Sequence, residues 1–331
     1  MSRTRPGFSV AVFVAALAAV FAVAAITPAE AQERKSIRWA VSSTGSYGYK
    51  VGALMGKVFE DAFGGEYTVT VNPYPSTTAA MKAVMDGDGE VAYTADVGMT
   101  PLYDGEGAFK DYKPGKAKLI HTWYAYPMES FMAVAASKAA QFKSWGDFSG
   151  KPVFFTPAGY MNWLNFQRVF KALGYQFKHV QIGEPAQADA LQAGTIVGAV
   201  GYTTAGKSLP SYWRETELRA ELKVINPSAE EIAKLKAANL APVEINAADA
   251  FSKDVGVKTI LGVPLLFGYN VRPDMPGDVI YKMLASFYKE RDNLVKADPG
   301  FTPMARDFVG MQVNGIRANP NIAVHAGLAK F

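Results

Sequence analysis

The chain contains no cysteine. That absence excludes a disulfide framework, a zinc–thiolate site and a thiol nucleophile. Histidine is nearly as scarce. His121, His179 and His325 are the only three, far apart and in no metal-ligand spacing. They are expected as ordinary core or surface side chains, and no metal or cofactor is expected. Gly-x-Ser-x-Gly, Gly-x-Gly-x-x-Gly, the P-loop and His-Glu-x-x-His are all missing. No dense Lys/Arg run occurs, and the net charge is only +4, so a nucleic-acid surface is not expected. An enzyme needs a placed nucleophile, base or metal. Without these, a non-catalytic binding protein is expected.

What is present begins with bulk. The chain has 331 residues, 49% of them hydrophobic, enough for a large core in two domains. Its N-terminus has the pattern of an export signal. Arg3 and Arg5 supply the basic region, Val10 to Ile26 the apolar run, and Ala29-Glu30-Ala31 a small-x-small cleavage site. Residues 1–31 are therefore expected to be removed as a signal peptide. A retained membrane anchor is the alternative, because the run approaches spanning length. No later run is long and apolar enough to span a bilayer.

The chain is organised around Trp39-Ala40-Val41-Ser42-Ser43-Thr44-Gly45-Ser46-Tyr47-Gly48-Tyr49. An apolar run stops at hydroxyls and glycines, and a helical pattern starts at once. Val51, Leu54, Met55, Val58 and Ala62 fall on one helix face. A strand-to-helix turn follows from this, and its N–H groups at the positive helix end can hold an anion or carboxylate. The motif repeats. Tyr67 to Val71 predicts a strand running into Ser76-Thr77-Thr78, which can cap a helix with Ala80, Ala83 and Val84 inward. Glu90 to Thr94 predicts a third strand ending at Asp96. A polar segment, 103–118, leads to strands at 119–124 and 131–135, split by Pro127.

The pattern then restarts. A strand at 152–155 meets the turn Thr156-Pro157-Ala158-Gly159-Tyr160-Met161-Asn162, and Phe166, Val169, Phe170 and Leu173 form the next helix face. A short strand at 180–182 is expected, then a helix at 186–193. A strand at 196–200 leads to a turn at Gly201-Tyr202-Thr203-Thr204. Ser228 with Glu231 is a capping box. An apolar run at 259–269 returns to the first half, and one C-terminal helix carries Ile280, Met283, Leu284, Phe287 and Leu294. Alternating β and α elements predict largely parallel sheets with ligands at the strand ends. The hydroxyl-rich turns all lie there, with Tyr47, Tyr74, Tyr126, Tyr160, Trp163 and Tyr202 as candidate aromatic walls.

Several stretches resemble one family. They are Ser-Ser-Thr-Gly at 42–45, Gly-Glu-Val-Ala-Tyr-Thr-Ala-Asp-Val at 89–97, and Phe148 to Val153 with Pro157-Ala-Gly159. Leu191 to Gly194, Gly262 to Leu266 and Val324-His-Ala-Gly327 complete the set. In their order and spacing they resemble the solute receptors of tripartite ATP-independent periplasmic (TRAP) transporters, of the TAXI type. The resemblance implies a class II periplasmic-binding-protein-like α/β fold. Two α/β lobes, joined by a two-strand hinge, would close on a ligand cleft. It implies a periplasmic monomer that delivers a small organic anion, such as a dicarboxylate, an oxo acid or glutamate, to TRAP membrane subunits. Lobe 1 would comprise 36–128 plus 273–331, and lobe 2 129–272. An ABC-type or signalling receptor on the same fold is the alternative, and an exported serine-type hydrolase a third reading that lacks a base. Where the family has Ser-Gly-Thr after the second-lobe glycine, this chain has Tyr160-Met161-Asn162. Its first-lobe Gly-Gly-Ser turn is Pro75-Ser76-Thr77.

The expected ligand contacts are Ser43, Thr44, Gly45, Tyr47, Tyr74, Ser76, Thr77, Thr78 and Asp96 in the first half. The others are Tyr126 at the crossing and Thr156, Gly159, Tyr160, Asn162, Trp163, Tyr202 and Thr203 in the second half. None of the turns carries Lys or Arg, so a carboxylate would be held by helix N-termini and hydroxyls. Thr44 and Thr156 are expected to bridge it from opposite lobes.

Overall fold

Two long strands cross the middle of the molecule, and every other strand is placed by its relation to them. The computed structural model describes Met1 and residues 34–331. The expected signal peptide lies outside the described residues. No described helix is long and apolar enough to cross a membrane.

In the first half, β1 (Lys35–Val41) lies between β2 (Tyr67–Pro73) and β3 (Val91–Ala95), parallel to both. Helices α1 (Tyr47–Ala62) and α2 (Thr77–Asp86) link them. Both begin where the hydroxyls predict. Ser46 Oγ accepts from Tyr49 N at 3.3 Å, and Ser76 Oγ accepts from Ala79 N at 3.1 Å. A short helix α3 (Asp96–Asp104), which was not foreseen, follows β3 directly. Its Pro101 and Gly98 obscure the 3.6-residue period.

The chain then crosses on β4 (Ile120–Ala135), a single strand where two had been expected. Pro127 does not interrupt it. It stands beside a bulge between Tyr124 and Tyr126, one residue before pairing with β6 begins at Met128. Those are the places where a sheet tolerates proline. In the second half, β5 (Val153–Phe154) leads through the predicted turn into α4 (Met161–Leu173). After α5 (Gln187–Ala193) comes β6 (Gly198–Thr204), which contains Tyr202, Thr203 and Thr204. These three had been assigned to a turn. Cross-strand pairing with Ser130, Glu129 and Met128 extends the strand over them. The stretch 180–182 is not a strand; only an isolated bridge at His179 marks it. Then come α6 (Ser211–Arg219), β7 (Leu222–Ile225), α7 (Ala229–Ala237), β8 (Val243–Asn246) and α8 (Ala247–Ala250). The predicted capping box is present: Ser228 Oγ accepts from Glu231 N, and Glu231 Oε2 accepts from Ser228 N.

The return strand β9 (Thr259–Val271) pairs antiparallel with β4 from Ile120↔Val271 to Ser130↔Val263. Sheet order is β2-β1-β3-β9-β4-β6-β5, with β7 on β4 and β8 on β9. The sheet is therefore mixed, with three parallel pairings (β1–β2, β1–β3, β5–β6) and five antiparallel. Largely parallel pairing had been expected. A chain that crosses once and returns once must run its two crossing strands in opposite senses. Where they touch, Gly268 is required. A Cβ there would lie 1.9 Å from the Trp123 carbonyl oxygen.

The predicted C-terminal helix divides into α9 (Gly277–Lys289) and α10 (Arg291–Ala297), followed by α11 (Thr302–Arg306), α12 (Phe308–Ala318) and α13 (Ala326–Lys330). Just past α10, the fully buried Asp298 accepts hydrogen bonds from Tyr47 OH, Lys50 Nζ and Gly300 N. This ties the C-terminal segment to the first turn of α1. A second aromatic core lies in the other half, where Trp145, Phe155, Phe166 and Phe170 pack as the α4 periodicity predicts.

Glu129, on β4 at the crossing, is buried and forms no ion pair among the described residues. Thr203 Oγ1 donates to it at 2.6 Å and Gly206 N at 3.0 Å. Burial pushes its carboxyl up to about 7, against the opposing pull of these two bonds. A carboxyl raised in the fold is protonated in both states at low pH and ionises first in the unfolded chain. Its contribution to stability is therefore lost as pH rises from about 4.5 to about 7. At ~1.4 kcal/mol per unit the loss is about 3 kcal/mol. Glu129→Gln should flatten the pH dependence of denaturant midpoints over that window. A profile that the substitution leaves unchanged contradicts this account.

Candidate functional site

The two hydroxyl-rich turns meet face to face. At the end of β1, Ser42 Oγ donates to Ser46 Oγ at 2.9 Å, and Ser46 N donates to Ser43 O at 2.9 Å. This curls the chain into α1 and leaves Ser43 Oγ on the inner side. In the second half, Thr156 (φ 67°) and Gly159 (φ 85°) are both left-handed, and they turn Tyr160 back across the seam. Tyr160 OH donates to Ser43 Oγ at 2.7 Å, and Ser43 Oγ donates to Glu184 Oε2 at 3.2 Å. Thr78 N donates to Gly159 O at 3.2 Å, and Ser211 Oγ to Gly45 O at 3.0 Å. Glycine is needed at 159 because a Cβ would stand 2.7 Å from Thr78 Oγ1 and 2.9 Å from Ser76 Oγ.

Between the turns remains a void of about 10 Å³, bounded by Tyr47, Thr77, Tyr93, Tyr160, Asn162 and Tyr202 among others. That is room for about one water. The strand ends of both halves therefore converge, with little space left between them.

Of the expected contacts, Tyr47, Thr77, Tyr160, Asn162 and Tyr202 line this void, and Ser43, Gly45, Thr78 and Gly159 make the contacts across it. Ser76 caps α2 beside Gly159. The rest stand elsewhere. Thr44 is exposed, whereas Thr156 is fully buried with an unpartnered hydroxyl, so they do not form the expected bridge. Thr44 stands at the tip of the turn closed by the Ser46 N–Ser43 O bond, where its side chain meets solvent. Tyr74 lies in the field of Asp88 and Arg38, at the edge of the first half. Tyr126 is behind the seam, donating to Tyr93 OH at 2.9 Å, because β4 continues through it. Trp163 packs towards Phe177 and His179 in the second core. Thr203 alternates away from Tyr202 and points to Glu129. Asp96 lies on another groove, where it accepts from Val97 N and Leu266 N.

Glu184, Ser211, Tyr93, Met128 and Phe267 were not foreseen. Glu184 and Ser211 lie in loop-edge segments with no motif, so no sequence signal marks them. Glu184 matters most. Burial pushes its carboxyl up, opposed by the bonds from Ser43 and Tyr160, and its Oε1 has no partner among the described residues. Burial and the adjacent Glu184 charge also raise the Tyr160 phenol well above its ordinary value, so it stays a donor. No Lys or Arg lines the void, and the nearby Lys50 is committed to Asp298. The site offers hydroxyl and amide donors, aromatic walls and one acid. No group of three His, Cys, Asp or Glu suited to a metal occurs among the described residues.

The model of the NMT1-like family matches residues 40–330. Among solved structures, the chain is similar to one described as a periplasmic transporter. The TM-score is 0.53 at 13% identity, covering 88% of this chain and 99% of that one. It is also similar to the alkanesulfonate-binding protein SsuA from Xanthomonas axonopodis pv. citri bound to MOPS, with a TM-score of 0.47 at 12% identity over 88% of this chain and 85% of that one. A putative L-cystine ABC transporter from Listeria monocytogenes gives 0.46 at 12% identity over 78% and 91%. No curated protein matches. The periplasmic transporter shows the fold: a mixed α/β periplasmic-binding-protein-like architecture.

Closure of the seam depends on the bare backbone at position 159. Gly159→Ala should wedge the two turns apart and raise the radius of gyration in small-angle scattering, with the cores still folded. An unchanged scattering profile counts against the seam as the closing contact.

Proposed function

The chain belongs to the NMT1-like family, and on that premise we propose that it is a non-catalytic periplasmic solute receptor. It is exported through residues 1–31 and binds a small organic anion between lobe 1 (36–128 plus 273–331) and lobe 2 (129–272). It acts as a monomer of the TAXI type and hands the solute to the membrane subunits of a TRAP transporter. The observation that carries the reading is the hydrogen bond from Tyr160 of one half to Ser43 of the other, at the ends of strands from both. Strand ends are where α/β sheets bind ligands. A solute that bridges both turns favours the closed arrangement, since only there are both sets of contacts made.

The chemistry of the seam supports a carboxylate held by neutral donors: the α1 and α4 N-termini, the Tyr160 hydroxyl and Ser43. Each such bond contributes about 1.5–3 kcal/mol when the partner is charged. Glu184 sets the pH dependence. An anion binds best when that carboxyl is protonated, and its protonation is already favoured by burial. Affinity for an organic acid should therefore strengthen as pH falls, until the ligand itself protonates.

A thermal-shift screen of organic acids and amino acids identifies the solute. With it in hand, Tyr160→Phe should weaken binding by about tenfold, or ~1.4 kcal/mol. Glu184→Gln should make the affinity nearly independent of pH. Neither change should move the unliganded melting temperature much. A ligand whose affinity ignores both substitutions places binding elsewhere. The transporter partner is tested by uptake in cells. Loss of uptake when the ion gradient is dissipated supports a secondary transporter. Uptake that follows ATP supply alone supports the ABC-type alternative.

A further inference from the structure

Away from the seam, a groove of about 1030 Å³ lies on the reverse face of the crossing strands and continues into a recess of about 410 Å³ beside Asp96. Strand alternation separates the two. Met128 and Phe267 border the seam void, and their neighbours Pro127 and Leu266 border the groove. Pro127 and Leu266 are register partners, so both project to the same side of the sheet. One wall comes from α4 and the segment after α7, and the other from α12.

The walls are cationic. Arg168 and Lys171 project from α4, and Arg317 faces them from α12. Among the described residues none of the three forms an ion pair. Arg168 is held in place: its Nε donates to Asn165 Oδ1 at 2.8 Å and its Nη2 to Pro264 O at 3.3 Å. Lys171 and Arg317 are exposed, and their side chains make no hydrogen bond among the described residues. Two acids share the surface: Glu106, exposed in the adjoining recess, and Asp96, which is occupied by two backbone N–H groups through Oδ1. Burial raises its carboxyl, and the Arg168 charge opposes that rise. Beneath the cations, Pro127, Pro264 and Leu266 make an apolar floor. The volume suits a small molecule.

We propose that this groove is a second binding site, for a carboxylate carried on an apolar body. The carboxylate meets Arg168, Lys171 and Arg317, and the body lies on the proline and leucine floor.

Octanoate is the probe, titrated calorimetrically into the full chain. Saturable binding is expected, with acetate (no apolar body) and octylammonium (reversed charge) at least tenfold weaker. Lys171→Glu with Arg317→Glu should weaken octanoate at least tenfold and leave the melting temperature unchanged. Tyr160→Ala, at the seam, should leave octanoate binding intact. Because the chain has no cysteine, Gly45→Cys with Ser211→Cys introduces a lone pair; a Cβ at 45 lies 3.7 Å from Ser211 Oγ. Oxidation locks the seam and should leave octanoate affinity equal. No saturable binding, binding indifferent to the charge reversal, binding lost with Tyr160→Ala, or binding lost on locking each overturns the proposal. The loss with Tyr160→Ala alone would move octanoate to the seam and leave the receptor reading standing.

Discussion

The pairing of β4 with β9 is the constraint on which the rest of the structure depends. It joins a half built on β1, β2 and β3 to a half built on β5 and β6 through a long antiparallel ladder with two register shifts. The two strands approach so closely at Gly268 and Trp123 that no side chain fits between them. Because a strand presents alternate residues to opposite faces, the same few positions serve two surfaces. Met128 and Phe267 border the seam, and Pro127 and Leu266 border the cationic groove. Any rotation of one half against the other must pass through these residues. They set the relation between the two surfaces more directly than any helix does.

Charge is placed unevenly about this axis. The seam holds hydroxyls, helix N-termini and Glu184, and its nearby cation Lys50 is neutralised by Asp298. The reverse face holds three cations with no ion partner among the described residues. Removing a carboxylate from water without a cation is costly, and the fold meets that cost by favouring the protonated form. Glu184 and Glu129 both behave this way, one at the seam and one at the crossing. Asp298 is different: three donors converge on it, so it holds a helix start to the C-terminal segment.

Much of this was legible in the residues, and some was not. The caps at Ser46 and Ser76, the capping box of Ser228 and Glu231, and the buried face of α4 all follow from local spacing. So does the glycine turn at 159, whose positive φ the residue type permits. The family resemblance, together with those turns, anticipated two α/β halves that meet at their strand ends. Pro127 misled, because proline reads as a break until the neighbouring bulge and ladder are known. Tyr202 to Thr204 misled in the opposite direction: polar and flexible by composition, they are held extended by Met128, Glu129 and Ser130.

The sequence by itself determined the helix caps, the buried helix faces and the glycine turn at 159, since periodicity, caps and glycine act over a few residues. It also determined that neither thiol nor clustered-histidine chemistry is available. Only the tertiary structure decided which turns face each other, that Glu184 comes from 141 positions away to meet Ser43, and that Asp96 and Thr44 face away from that meeting. It decided, too, that three cations from two helices share one groove. Those relations depend on the register of β4 against β9, a contact between segments far apart in the chain, and local spacing carries no information about it.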